Sequence, residues 1–261
     1  MKNISNDLVS IIMLSRNKGE YVDESIRSII AQTYQNWELL FVDDSSSDET
    51  LNKVLSYKYN DERIHLSQYV FEQGEAVTRY KALKSAKGRW IAFMNCGDLW
   101  HPTKLEEQIA FMEKNNYAFS YTKYCIIDSK SRIQDVIIGG PERISYSDML
   151  KCCWPGYLTV MYDAEKVGPL TEHKFKENSD YAIWLEVCKK EDCYLLNKIL
   201  ATQRTDQKLY SPFPLFKRIS WRYDVFSIAG KKNPIMATVM TIRSLWYGIV
   251  KRVKYIEKSG K

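Results

Sequence analysis

Two short polar clusters mark the part of the chain where chemistry is expected. They consist of Ser15, Arg16 and Asn17 and, further along, of Asp43 and Asp44. Each cluster follows an apolar run, residues 8–14 and 37–42, and the residues between the runs show helical spacing. Two strands joined by such a crossover are parallel, so both clusters are expected at one edge of a sheet, where open α/β sheets bind ligands.

A third polar cluster follows the apolar run at residues 90–94, which is predicted as another buried strand. It consists of Asn95, Cys96, Gly97 and Asp98. Asp180 stands apart from these clusters, at the start of an amphipathic helix with Ile183 and Val187 on one side. Acids at helix starts also have a structural explanation, because they cap helices or interact with the helix dipole.

The pattern along the rest of the chain predicts an α/β protein. Helices are expected at residues 21–31, 51–58, 76–86 and 103–115, and strands at 64–70, 117–127 and 158–162. Gly88 is expected to end the third of these helices. At 261 residues the chain fits one large domain with an appendage, which we place at residues 1–212 and 213–261.

The composition limits the classes of protein to which the chain can belong. With 45% hydrophobic and 27% charged residues, it resembles an ordinary globular protein. Its six cysteines form no CxxC pair and only three histidines accompany them, which argues against a zinc site or a disulfide framework. The N-terminal residues lack the apolar core of a signal peptide, so a cytoplasmic protein is expected.

Positive charge is concentrated in the C-terminal extension. The net charge is +6, and residues 213–261 carry 11 Lys or Arg against two acids. Helices are predicted over residues 215–229 and from Pro234 onward, the second being mostly apolar but interrupted by Arg243. We expect this helix to lie on the cytoplasmic face of an anionic membrane, or else to pack on its own domain or on a second subunit. Nucleic acid is not an expected partner, because no recognised binding motif accompanies the charge.

Four segments together resemble the family 2 glycosyltransferases, which have a GT-A fold. The segments are VSIIMLSRN, SIIAQTYQNWELLFVDDSSSDET, AKGRWIAF and SDYAIWLEV, and they occur in the family's order over roughly the first 205 residues. Within the family, the chain is most similar to enzymes that elongate bacterial surface polysaccharides. The resemblance implies a Rossmann-like, mostly parallel central sheet flanked by helices, followed here by the C-terminal helical extension.

The resemblance implies roles for individual residues. The residues that match the family's nucleotide-sugar site are Ser15, Arg16, Asn17, Asp43, Asp44, Arg79, Asn95 and Arg204. Among them, Arg79 matches a basic residue that reaches the diphosphate, and Arg204 matches one near the leaving phosphates. The structural alternatives are that Asp44 caps the next helix and that Arg79 is a solvated helix side chain. Residues 205–214 are either a loop that closes over the donor or a plain linker.

The family's metal-binding motif is altered in this chain. A DxD triplet normally ends the strand at residues 90–94, because a divalent cation that bridges two phosphates needs carboxylate oxygens. Here Asn95 offers an amide oxygen, Gly97 offers no side chain, and Asp98 is either a metal ligand or a helix cap. The altered triplet argues against tight binding of Mg²⁺ or Mn²⁺.

Asp180 matches the catalytic base of the family. In an inverting transfer, a carboxylate takes the proton of an acceptor hydroxyl while the nucleotide diphosphate leaves from the opposite face of the sugar. One base suffices, so the paired carboxylates of a retaining hydrolase are not expected. Glu177 is the second candidate for this base, and Trp184 either stacks on a sugar or packs in the core.

The sequence therefore predicts an inverting glycosyltransferase that moves a sugar from a nucleotide-sugar, with a UDP-sugar favoured, to a glycan or lipid-linked acceptor. One alternative is a relative that binds a nucleotide-sugar or a partner without turnover, which the altered triplet motivates. A dinucleotide-dependent oxidoreductase is less favoured, since residues 15–19 contain only one glycine. The predicted enzyme requires that Asp43, Asp44, Asp98 and Asp180 surround one cleft.

Overall fold

The structure, a computed structural model, describes residues 5–170, 179–205 and 214–258. These residues form a mixed α/β fold in which helices flank one central sheet. Glu177 and most of the predicted closing loop, residues 206–213, lie outside the described residues.

The first half of the chain alternates strands and helices. Its elements are β1 (Ser5–Ser15), α1 (Val22–Ile30), β2 (Trp37–Asp44), α2 (Thr50–Asn60), β3 (Ile64–Tyr69), α3 (Glu75–Ser85) and β4 (Gly88–Asn95). The strands lie in the order β3-β2-β1-β4 and are parallel. The predicted strand-helix-strand unit is confirmed, and the carboxyl ends of β1, β2 and β4 lie at one edge of the sheet.

β1 is buried on both faces, as its apolar sequence predicts. Ile11 and Ile12 are both fully buried and belong to separate core clusters. Neighbouring residues of a strand point to opposite faces, so a continuous apolar run needs cover on both sides of the sheet. Ile26 of α1 packs in the cluster of Ile11, and Leu83 of α3 packs in the cluster of Ile12.

The helix end predicted at Gly88 is wrong. α3 ends at Ser85, and Gly88 is the first residue of β4. A Cβ atom at Gly88 would lie 2.4 Å from the carbonyl oxygen of Leu8 in β1, which is too close for any side chain. Glycine is therefore required here because two strands approach each other closely. It does not serve to end the helix.

The second half of the sheet contains antiparallel pairs. Its elements are β5 (Leu99–Trp100), α4 (Lys104–Asn115), β6 (Phe119–Ile127), β7 (Ile133–Ile138), β8 (Arg143–Ile144), α5 (Tyr146–Met149), β9 (Met161–Asp163), α6 (Ala164–Val167), α7 (Ser179–Cys188) and β10 (Cys193–Arg204). β9 runs antiparallel to β4 and β6, whereas β10 runs parallel to β6. The strand predicted at residues 158–162 is instead a 3-10 turn, Tyr157–Thr159, followed by the shorter β9. β10 was not predicted.

The C-terminal extension is helical and ends in the sheet. It consists of α8 (Leu215–Asp224), a π-helical segment (Val225–Ala229), α9 (Pro234–Tyr255) and β11 (Ile256–Lys258). α9 begins sharply, because Asn233 Oδ1 accepts the backbone N–H of Met236 at 2.9 Å and Pro234 follows the cap. β11 pairs antiparallel with β7. Within the three described ranges, no helix combines the length and the apolar content needed to cross a bilayer.

Candidate active site

A cleft of about 620 Å³ opens at the sheet edge where β1, β2 and β4 end, which is within the usual size range of small-molecule sites. Its walls also include α3, the first turn of α7 and the end of β10. Most of the predicted site residues line it, namely Ser15, Arg16, Asp44, Arg79, Asn95, Asp98, Asp180 and Arg204.

The other two predicted residues, Asn17 and Asp43, hold the loops beside the cleft. Asn17 Oδ1 accepts the backbone N–H of Ser47 at 2.8 Å, and the Asn17 backbone N–H donates to Ser46 Oγ at 2.9 Å. Asp43 is fully buried, and its Oδ2 accepts the backbone N–H of Ser46 at 3.0 Å. The loop after β1 is thereby fixed to the loop after β2, and neither side chain is part of the cleft wall.

Asp44 fixes the chain segment that leads into α3. Its Oδ1 accepts the backbone N–H of Gln73 at 2.8 Å, and its Oδ2 accepts that of Gly74 at 3.0 Å. The alternative that Asp44 caps the helix following β2 is therefore wrong, because both of its oxygens serve residues before α3. Asp44 connects the end of β2 to the helix that carries Arg79.

Charged side chains surround the mouth of the cleft. Arg16 forms an ion pair with Glu72, and the two side chains are 47% and 56% exposed. Exposed pairs of this kind contribute at most about 1 kcal/mol, so a charged ligand can displace either partner at low cost. Lys18 is also exposed and lines the cleft.

Arg79 is buried at the inner end of the cleft, with 4% of its surface exposed. Its Nε donates to Tyr157 Oη at 3.1 Å, and one terminal nitrogen donates to Glu75 at 3.3 Å. Burial alone would lower the pKa of Arg79, but Tyr157, Asp180 and Glu75 together raise it. The alternative of a solvated helix side chain is therefore wrong. Arg79 is a fixed, charged group.

Asp180 lies in the first turn of α7, where it is half-buried and lines the cleft near Arg79. The helix is anchored behind it by Tyr181 and Trp184, which are both buried. The ring of Trp184 lies 5.0 Å from that of Phe93 in β4, in an edge-to-face arrangement. Trp184 therefore packs in the core, and it holds the helix that presents Asp180.

Asp98 and Arg204 form a buried network at another part of the cleft. Asp98 is 3% exposed, and its Oδ1 accepts the backbone N–H of Arg204 at 3.0 Å. Burial raises the pKa of Asp98 to about 7. The guanidinium of Arg204 donates to the Gly97 carbonyl at 2.9 Å and to Glu24 at 2.6 Å. Asp98 thus joins β4 to β10, and the alternative that it caps α4 is wrong.

The donor set around Asp98 does not fit a protein-held divalent cation. Oδ2 of Asp98 is buried and has no hydrogen-bond partner among the described residues, so one carboxylate oxygen remains for a ligand. Asn95 adds an amide oxygen in the cleft wall, whereas Gly97 adds no side chain. Mg²⁺ and Mn²⁺ prefer several carboxylate or phosphate oxygens, and no group of three His, Cys, Asp or Glu side chains suited to a metal occurs in the described part of the chain.

Several residues of the cleft were missed from the sequence. They are Leu14, Lys18, Tyr21, Glu72, Gly74, Glu75, Thr78 and Tyr157. Tyr157 is the most informative of them, because it contacts Arg79 directly. It lies in a 3-10 turn within a stretch that shows no helical or strand periodicity, so no local signal selects it. Glu75 was detectable, since it lies four residues before Arg79 on one helix face.

Comparison with known proteins gives consistent matches. Residues 10–153 match the sequence profile described as glycosyl transferase family 2. TuaG of Bacillus subtilis (strain 168), named as a teichuronic acid biosynthesis glycosyltransferase, is 38% identical over 198 residues, which cover 76% of this chain and 79% of TuaG. WfgD of Escherichia coli is 38% identical over 256 residues, covering 97% of this chain and 98% of WfgD. WfgD is named as a UDP-Glc:alpha-D-GlcNAc-diphosphoundecaprenol beta-1,3-glucosyltransferase.

Among solved structures, the crystal structure of residues 1–349 of S. aureus TarS has a similar fold. The TM-score is 0.67 with 17% sequence identity, and the match covers 97% of this chain and 74% of the TarS chain. A second TarS structure, in complex with UDP, gives the same TM-score. At this level of identity the match shows a shared fold.

Proposed function

Because the chain belongs to glycosyl transferase family 2, we propose that it transfers a sugar from a UDP-sugar to a hydroxyl of a lipid-linked glycan acceptor. The chain is a glycosyltransferase with a GT-A fold. The relatives support the proposed donor and acceptor, since the name of WfgD gives UDP-Glc as donor and a diphosphoundecaprenol-linked acceptor. TuaG is named for teichuronic acid biosynthesis. The proposed product is accordingly a growing bacterial surface polysaccharide.

The observation that carries this proposal is that Asp180 shares one cleft with Asp44 and Asp98. In the proposed inverting reaction, the oxygen of an acceptor hydroxyl attacks the anomeric carbon while the Asp180 carboxylate accepts the hydroxyl proton. The bond between that carbon and the diphosphate breaks, and UDP leaves with the bonding electrons. A single carboxylate is enough for this reaction, because no covalent sugar-enzyme intermediate forms and no second carboxylate has to act as nucleophile.

Arg79 is proposed to stabilise the leaving diphosphate. Its guanidinium is held by Tyr157 and Glu75, and its surroundings keep it charged. A fixed, buried charge stabilises a developing negative charge more strongly than the same charge in bulk solvent. Ser15, Arg16, Asn95 and Arg204 are proposed to contact the donor or to shape its site, while Asn17 and Asp43 hold the nucleotide loops.

The proposed site of action is the cytoplasmic face of the membrane. The support is chemical: a diphosphoundecaprenol-linked acceptor, as named for WfgD, has its lipid part in a bilayer and its sugar at the surface. The UDP-sugar would reach the cleft from the aqueous side. No step of the proposed reaction passes through a metal ion.

The decisive experiment measures release of UDP from a panel of UDP-sugars in the presence of a GlcNAc-diphosphate-lipid acceptor, with and without Mg²⁺ or Mn²⁺. Asp180→Asn is expected to lower kcat by about 10²–10⁴-fold with donor affinity kept, since the amide cannot accept the proton. Asp135→Asn is the matched control, because Asp135 is an exposed residue of β7.

Two outcomes contradict the proposal. Turnover by Asp180→Asn equal to that of the unmodified chain would show that Asp180 is not the base of the reaction. Donor binding without turnover, for every donor and acceptor combination, would instead favour the binding-only alternative.

A further inference from the structure

The outer face of α9 carries an exposed apolar stripe. Its six side chains are between 54% and 81% exposed. They are Ile235, Val239, Ile242, Trp246, Ile249 and Val253, and we call them the α9 stripe. At about 100° per residue, all six fall within an arc of about 80° on the helix. A continuous exposed face of this kind marks an interaction site.

The opposite face of α9 is fixed to the rest of the protein. Ala237, Met240, Thr241 and Ser244 are buried. Arg222 of α8 donates to the carbonyl oxygen and the Oγ of Ser244 at 3.0 and 2.7 Å. β11 follows directly and pairs with β7. The α9 stripe is therefore presented on a helix that is already packed along its inner side.

The charges beside the α9 stripe indicate its partner. α9 contains no acidic residue, and Arg243, Arg252 and Lys254 are exposed on both sides of the stripe. From residue 215 to residue 255 the chain has Asp224 as its one acid, against nine Lys or Arg. The alternating spacing of four and three residues would also fit a helix pair, but pairing two copies would bring like charges together, whereas coiled-coil pairs use opposite charges.

We propose that the α9 stripe docks on a membrane that contains anionic phospholipid. The apolar side chains would enter the boundary between headgroups and acyl chains, with Trp246 at headgroup level. Arg243, Arg252 and Lys254 would contact lipid phosphates and strengthen binding to an anionic surface. The inference deepens the proposed function, and it rests on that function for the lipid-linked nature of the acceptor.

Contacts connect the docked helix to the cleft. Lys251 of α9 donates to the carbonyl oxygens of Cys153 and Trp154 at 3.1 and 2.6 Å. The same segment continues to Tyr157, which lines the cleft and binds Arg79. Asp180 lies close enough to Cys153 to help burial raise the pKa of that thiol. Docking through α9 would therefore hold the part of the cleft with the proposed base near the lipid surface.

The test is cosedimentation of the full chain with vesicles. Vesicles of phosphatidylcholine mixed with phosphatidylglycerol are compared with vesicles of phosphatidylcholine alone, at low and high salt. We expect at least about tenfold stronger partitioning onto the anionic vesicles, weakened by salt. The double variant Ile242→Asn/Trp246→Asn should lose about tenfold or more of this binding, because burial of both side chains is lost.

The matched control is Tyr59→Asn/Ile133→Asn, which alters two side chains that are 85% and 74% exposed on other surfaces. It is expected to bind vesicles as the unmodified chain does. Equal binding by the stripe variant and the unmodified chain would overturn the proposal. So would a dimer in light scattering that the stripe variant abolishes, with no vesicle binding, because a second copy would then cover the stripe.

A second assay distinguishes failure of the membrane-docking proposal from failure of the proposed function. UDP release is measured in parallel with a short-chain, water-soluble acceptor and no vesicles. The stripe variant should keep its turnover in that assay, because none of its changed residues lines the cleft. Loss of vesicle binding with turnover retained supports the docking role, whereas absence of turnover in the unmodified chain contradicts the proposed function alone.

Discussion

Replacing Tyr157 with Phe tests the buried pair that this residue forms with Arg79. The change removes only Oη, which accepts a hydrogen bond from Arg79 Nε at 3.1 Å, and keeps the ring, whose centroid lies 4.7 Å from the guanidinium carbon. Arg79 and Tyr157 are only 4% and 9% exposed, so water does not readily replace the lost acceptor. A hydrogen bond to a charged group contributes about 1.5–3 kcal/mol, and we expect the free energy of unfolding to fall by that amount.

The free energy of unfolding is measured by urea denaturation, with tryptophan fluorescence as the signal, and kcat is measured by UDP release. Burial raises the pKa of Tyr157 to about 12, so its hydroxyl is neutral at neutral pH and the lost contact does not depend on pH there. kcat should also fall, because the guanidinium beside Asp180 loses one of the contacts that fix its position. Tyr59→Phe is the matched control, since Tyr59 is 85% exposed. An unfolding free energy within about 0.5 kcal/mol of the unmodified chain would refute the argued role of the hydroxyl.

Two further predictions concern the turn between β4 and β5. Gly97→Ala should lower the free energy of unfolding by about 1–3 kcal/mol. Gly97 has φ +110°, and the nearest atom to an added Cβ is 3.7 Å away, so the cost is backbone strain and not a steric clash. An unchanged urea midpoint would contradict this prediction. Asp98→Asn should reduce the loss of stability between about pH 4 and pH 7. Burial raises the pKa of Asp98 to about 7 in the folded protein. An unfolded Asp ionises near pH 4, so the stability from this group is fully present below about pH 4 and is lost as the pH rises from there through the folded pKa of about 7. Equal pH slopes in urea unfolding would exclude this explanation.

The parallel half of the fold could be predicted because its signals are local. The apolar runs of β1, β2 and β4 are continuous, and each ends in polar residues, so the strands and their shared edge follow from the sequence alone. The shared edge also predicts that Asp44 and Asp98 lie close together, and both line the cleft. The order of the motifs added Asp180, whose position no strand pattern predicts.

β10 could not be predicted, because its sequence does not alternate between apolar and polar residues. It pairs with three different strands, β5, β6 and β8, and its register against β6 shifts between Leu196 and Ile199. Each part of the strand therefore meets a different environment. The hydrogen bond from the Arg204 backbone to Asp98 depends on this pairing, so the network at that end of the cleft was not visible in the sequence.

The burial of Arg79 is a second case in which tertiary contacts override the local pattern. An arginine on an amphipathic helix is most often solvated, and the composition of α3 is compatible with that. Tyr157, from a turn far along the chain, covers the guanidinium and supplies an acceptor for it. The contact between these two elements contributes to making Arg79 a fixed charge in the cleft.

The C-terminal extension and the wall that holds Asp180 share one core. Phe226 is fully buried, and its ring centroid lies 6.0 Å from that of Tyr181, the residue next to Asp180. Met240 of α9 belongs to the same core cluster as Trp184 of α7. Close-packed interiors transmit small displacements, so a force on α9 at a membrane surface would reach the helix that presents the proposed base. The boundary placed at residue 213 from composition therefore marks a change in charge, while the packing that positions the site continues across it.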